Sequence, residues 1–160
     1  MTRAEVYQSL ASAGLLNGFA PTLNDNLYDG TSGSFVRSAW SAWVQSLPIA
    51  LQVSRDIGGG KTEMWPRWVP EVFDCDSHVQ SFGAFLGLCF AADAIATGKP
   101  RGNPACGFLS FSPDDKNNER HAISWFVDYE GKVQLFDPGS GKERVLSDKE
   151  KVSANEITSI

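Results

Sequence analysis

In the stretch FDCDSHVQSF, Cys75 and His78 stand three positions apart, Cys75 flanked by Asp74 and Asp76, and the chain holds one other histidine, His121. A thiol becomes an effective nucleophile where a helix N-terminus or a neighbouring imidazolium favours its anion. Asp74 has the side chain of a helix N-cap. Val79, Phe82, Leu86, Cys89 and Phe90 then recur at three- and four-residue steps as far as Thr97-Gly98-Lys99-Pro100. The spacing predicts a long central helix with Cys75 in its first turn, where unpaired N–H groups favour an anion.

His78 shares a helix face with Cys75, but a base on the same helix leaves little room for a reacting carbonyl between the two. His121 opens the strand-like run HAISWFVDY, whose pattern needs no histidine for packing, and is the better partner. Asp137 follows VQLF, and the turn signal Tyr129-Glu130-Gly131-Lys132 makes these two runs antiparallel neighbours. Asp137 is therefore the expected orienting carboxylate. Asp128 is the runner-up, but it lies at the far end of the histidine's strand, roughly 23 Å away at ~3.3 Å per residue. A triad of Cys75, His121 and Asp137 would perform acyl transfer through a thioester. Its oxyanion donors would be the Cys75 backbone N–H and an indole N–H from Trp65 or Trp68.

The pairing of FDCDSHVQSF with HAISWFVDYEGKVQLFDPGSG resembles papain-like and transglutaminase-like cysteine hydrolases. More narrowly, it is similar to the protease domain at the C-terminus of certain fungal agglutinins and to related small phage and bacterial proteins. The resemblance covers about residues 65–141. It implies an α+β, papain-like fold, with a helix carrying the cysteine on a small antiparallel sheet carrying His121 and Asp137. It also implies a cysteine peptidase or amidase acting on a peptide or protein. His78-Val79 departs from the Phe-Ala or Tyr-Ala of that family. Agglutinin domains of this kind depend on a divalent cation, and Asp74 and Asp76 could supply oxygens, but two carboxylates do not define a site, so no metal and no cofactor are expected.

A length of 160 residues with 42% hydrophobic and 21% charged residues fits a single globular domain. With 14 basic against 19 acidic residues and no basic cluster, nucleic acid is not an expected partner. The N-terminal run has no secretory core and no window approaches ~20 apolar residues, so a cytoplasmic location, the host's if the protein is phage-encoded, and no membrane partner are expected. Cys75, Cys89 and Cys106 read as reduced thiols, Cys89 as a small buried hydrophobe.

Residues 1–64 read as a mainly helical part with irregular loops. Helices are expected over 3–13 and over SFVRSAWSAWVQSL, the latter with Phe35, Ala39, Trp43 and Leu47 on one face, and a short strand over 49–53. Gly58, Gly59, Gly60 and Lys61 do not form a phosphate loop, because a Walker motif spaces its glycines around four residues and opens a helix. SPDDKNNER reads as a polar turn, and residues 147–160 as a polar tail dispensable to the core. Two other functions fit the residues: a metal site built from Cys75, His78, His121 and Cys106 or Asp137, and a noncatalytic phage-type protein that binds a host protein.

Overall fold

The computed structural model describes residues 1–17, 20–98, 102–114, 119–154 and 156–159. Its first helix, α1 (Arg3–Ser12), opens on a capping box in which the Thr2 hydroxyl accepts from the Glu5 N–H and the Glu5 carboxylate accepts from the Thr2 N–H at 2.6 Å. The helix buries Val6 and Leu10. Strand β1 (Tyr28–Asp29) follows, then α2 (Gly33–Ser46), capped by Ser32. The buried face of α2 is Val36, Ala39, Trp40, Trp43 and Val44. It is rotated from the expected row of every fourth residue, because a helix repeats at 3.6 and the buried stripe drifts with that period.

The part expected to be mainly helical also carries an antiparallel hairpin, β2 (Gln52–Gly58) and β3 (Lys61–Pro66). Its glycine run forms the turn, with φ of +90°, +64° and +72° at Gly58, Gly59 and Gly60. Such angles strain any residue with a Cβ. Helix α3 (Cys75–Thr97) is capped by Asp74 and ended by Gly98 in the left-handed region, φ +63°. Strand β4 (Asn103–Pro104) pairs in parallel with β1. The remaining elements are β5 (Cys106–Phe111), β6 (His121–Val127), β7 (Val133–Asp137), β8 (Lys142–Glu143), α4 (Asp148–Ser153) and β9 (Glu156–Ser159). They include a five-stranded antiparallel sheet in the order β8-β7-β6-β5-β9.

Two apolar clusters lie on the faces of this sheet. Ile123, Trp125 and Val127 of β6 join Val6, Leu10, Leu109, Phe111 and Ile157 in one. Phe126 of β6 and Phe136 of β7 join Trp40, Trp43, Phe82, Leu86 and Phe90 of α2 and α3 in the other. The period-two alternation of β6 thus feeds both layers, which is why six of its seven residues are buried.

The papain-like arrangement expected from the sequence, a helix on a small antiparallel sheet, needs correction. The sheet has five strands covered on both faces, and the supposedly dispensable tail supplies α4 and the edge strand β9. Ile157 pairs with Leu109 and is 2% exposed, and Gly107 packs against the Thr158 carbonyl so closely that a Cβ there would stand 1.8 Å from the oxygen. Helix α3 also differs from expectation. Its 23 residues reach a mean hydropathy of 1.5 over an 18-residue window, so by length and composition it could cross a bilayer. Here Val79, Phe82, Leu86 and Phe90 pack inward while Leu88 and Ile95 are exposed. Lys99-Pro100, expected to stop this helix, and the centre of SPDDKNNER lie outside the described residues.

Ile157→Ala should therefore lower unfolding stability by about 2–5 kcal/mol, as for other large-to-small core changes. Denaturant titration checks this, and a loss below about 0.5 kcal/mol would mark the tail as dispensable after all.

Candidate functional site

Cys75 is the first residue of α3, partly exposed, and its sulfur lies 3.6 Å from Asp76 Oδ1. The Asp74 carboxylate accepts from the Ser77 N–H at 3.5 Å, which fixes the turn that presents the thiol. Across from it, His121 opens β6, and its Nε2 is 3.6 Å from Asp137 Oδ2. The His121 ring also interacts electrostatically with Cys75 and stands edge-on to Phe111, centroids 5.7 Å apart.

Asp137 closes β7 and is held by the turn that follows it. Its Oδ1 accepts from the Gly139 N–H at 2.8 Å and the Ser140 N–H at 3.3 Å, and its Oδ2 accepts from the Ser140 hydroxyl at 2.9 Å. The turn is anchored to α2, because the buried Trp40 indole donates to the Pro138 carbonyl at 2.8 Å. Gly141, at φ +61°, lies against the same indole, and a Cβ there would meet the ring at 2.4 Å. The sequence PGSG after Asp137 thus builds a cradle of donors for the carboxylate.

These contacts set the electrostatics. Burial disfavours the His121 imidazolium, but its interactions with the Asp137 carboxylate and with Cys75 outweigh it and raise the ring to about 9. Burial would raise Asp137 as well, yet His121, Ser140 and Gly139 together hold its carboxyl below the usual range. His121, raised in the fold, contributes stability that is fully present below about pH 6.5 and lost as pH rises through about 9. Asp137, depressed in the fold, contributes stability present above about pH 4 and lost as pH falls through its lowered value.

The structure places Cys75 and His121 in the wall of a cleft of about 750 Å³, a size that suits a small ligand, while Asp137 lines a smaller adjoining recess of about 220 Å³ together with both of them. Its rim carries Trp68, 53% exposed, with Glu71, Asp74, Asp76, Glu119, Arg120 and Glu156. Trp65 is not part of it. Its ring packs edge-on to Trp40 and its indole N–H is donated to Glu63 at 3.0 Å. Asp128 caps its own β-turn, accepting from Glu130 and Lys132. Cys106 is buried in the core, its thiol pushed up to about 12 by desolvation, and Cys89, also raised by desolvation, is on α3 away from the cleft. The metal site that would have used Cys106 is corrected accordingly. Among the described residues no group of three or more His, Cys, Asp or Glu side chains could hold a metal ion.

Sequence reasoning set His78 aside, whereas the structure buries it to 1% exposure beneath the cleft, among the rings of Trp43, Trp68 and Phe73. A hint was available: a histidine among apolar positions of a core helix must either find partners or leave them unmade. Trp40 and Ser140 were missed because their roles depend on the turn after Asp137.

No family model and no curated protein matches the chain. Among solved structures it is similar to one titled "PSL1a-E64 complex", at 22% identity and a TM-score of 0.64 over 99% of this chain and 49% of that one. It is also similar to a lectin of Polyporus squamosus bound to the human-type influenza-binding epitope "Neu5Aca2-6Galb1-4GlcNAc", at 23% identity and a TM-score of 0.64 over 98% of this chain and 48% of that one. The chain spans about half the length of the solved structures it matches. These neighbours correct the reading drawn from the DCD and HA motifs. The fold is one found in a fungal lectin, and the papain-like or transglutaminase-like hydrolase, its peptide or protein substrate, the metal-binding protein and the phage-type binder of a host protein are set aside. The physical reason is that three short motifs specify how three side chains approach one another. They do not specify the surrounding architecture or what enters the cleft.

The His121 ring should titrate near 9 in side-chain NMR, and Asp137→Asn should bring its midpoint down by a unit or more, since burial then acts with less opposition. A midpoint at or below about 6.5 in the unmodified protein would contradict the pairing.

Proposed function

We propose that the cleft is a ligand-binding site with a nucleophilic thiol at its floor, in which Cys75 bonds to an electrophilic ligand atom, His121 holds or moves the proton, and Asp137 orients the ring. The observation that carries this reading is the imidazole of His121, 3.6 Å from the Asp137 carboxylate, sharing the cleft with Cys75 and raised to about 9. An imidazolium is the group that stabilises a thiolate beside it, and the first turn of α3 adds its unpaired N–H groups. The Asp76 carboxylate, 3.6 Å from the sulfur, opposes this and tempers the reactivity.

A second reading, glycan binding in the same cleft, is favoured by the half-exposed indole of Trp68 among rim carboxylates. An exposed aromatic face beside hydrogen-bonding groups suits the apolar face and hydroxyls of a sugar. One of the similar solved structures is a lectin bound to the epitope named above, though this chain spans only half of it.

One experiment tests both. Iodoacetamide at about pH 6, well below the ~8.5 of a free thiol, should alkylate Cys75 selectively, and His121→Ala should slow that reaction at least about tenfold. Equal rates in the two proteins would sink the nucleophile reading. Slower alkylation in saturating glycan of the named sequence would support the second reading, and an unchanged rate would count against glycan binding over Cys75.

A further inference from the structure

Both ring nitrogens of His78 are buried without a completed hydrogen bond, although the Arg67 carbonyl lies near enough to favour its protonation somewhat. Burial dominates and lowers the ring's basicity, so the imidazole is neutral near pH 7. His78 is one of the residues lining a recess of about 220 Å³ that also touches Cys75, His121, Trp68 and Gly139. Trp68, Cys75 and His121 line this recess and the main cleft alike, so the two spaces meet at the thiol. Gly139 keeps the recess open on one side, because a Cβ there would stand 3.2 Å from His78 Nδ1 and 3.2 Å from Asp137 Oδ1.

We infer that this recess is a specificity pocket for a neutral, hydroxyl-bearing group on the ligand that Cys75 meets, with His78 as its recognition residue. A neutral imidazole offers one N–H donor and one lone-pair acceptor, and a hydroxyl, which both donates and accepts, can engage either. The recess already holds charges of both signs, the Arg55 guanidinium and His121 imidazolium against the Asp137 carboxylate, so a ligand group of either charge would meet repulsion as well as attraction there. A purely apolar group would leave His78 unsatisfied, and buried polar groups left unpaired are what sites use to reject such analogues.

The inference rests on the assignment of Cys75 as the cleft's nucleophile, and its test is separable from that assignment. The probes are N-(2-hydroxyethyl)chloroacetamide and N-propylchloroacetamide, nearly equal in shape and differing in the terminal hydroxyl. In each, the Cys75 sulfur displaces chloride: a carbon–sulfur bond forms, the carbon–chlorine bond breaks with its electron pair leaving on chloride, and the thiol proton goes to buffer. The pair is compared at about pH 8.5, where any accessible thiol reacts, so the comparison does not depend on activation of Cys75. The full-length protein should prefer the hydroxyl reagent about fivefold, as expected of one net hydrogen bond. His78→Phe should abolish the preference, and His78→Gln, which retains a donor and an acceptor, should keep part of it. Iodoacetamide is too short to fill the recess and should react with all three proteins at similar rates. Equal rates for the two chloroacetamides in the unmodified protein, as expected if a resident water satisfies His78, would overturn the inference, as would an undiminished preference in His78→Phe. Failure of iodoacetamide labelling at about pH 6 would instead fall on the nucleophile reading alone.

Discussion

The site depends on one constraint, the fixing of the Asp137 carboxylate at the end of β7. Two backbone N–H groups and the Ser140 hydroxyl hold it, and the turn that supplies them is pinned to α2 by the Trp40 indole on the Pro138 carbonyl. Trp40 is fully buried and packs edge-on to Trp65 and Phe136, so the position of the carboxylate is inherited from the aromatic core between α2, α3 and the sheet. Once Asp137 is fixed, His121 on the neighbouring strand has a charge to answer, and Cys75 on α3 shares the cleft with that ring. Three elements distant in sequence are thereby tied through one partly buried negative group. A carboxylate withdrawn from water is costly unless its lone pairs are met, and here they are.

The two histidines are tuned in opposite directions by the same neighbourhood. His121 is raised because a carboxylate and a sulfur face it, whereas His78, a few ångströms deeper among aromatic rings, is lowered by burial. A charged imidazole at the cleft floor and a neutral one beneath it divide the work. The first governs the proton at the thiol, and the second offers uncharged hydrogen bonding in the adjoining recess. Gly139 touches Asp137 and lies against His78, so the cradle of the carboxylate also forms the wall of the recess.

Much of this was legible in the sequence where short-range physics decides the outcome. Asp74 as a cap, the apolar steps of α3, Gly98 at its end, and the hairpin joining β6 to β7 are local signals, and together they place Cys75, His121 and Asp137 at one end of the sheet. Long-range pairing was not legible. Strand β9 is four residues of mixed polarity, and its place beside β5 follows from packing of Ile157 and the absence of a side chain at Gly107, neither visible locally. The buried face of α2 was displaced because spacing by four tracks a 3.6-residue helix only over a turn or two. The wider family was over-read from the motifs, because the order of three residues constrains chemistry more tightly than it constrains a fold or a ligand. The fold itself is found in a fungal lectin.

The central claim is that the His121 imidazolium, held by Asp137, favours a thiolate at Cys75. The most direct measurement is the ultraviolet absorbance of the thiolate, taken as the difference between the unmodified protein and Cys75→Ser across a pH series, with His121→Ala measured alongside. The account predicts that the thiolate band is weaker in His121→Ala than in the unmodified protein at the same pH. A band of equal strength across the pH series with or without His121 would contradict it.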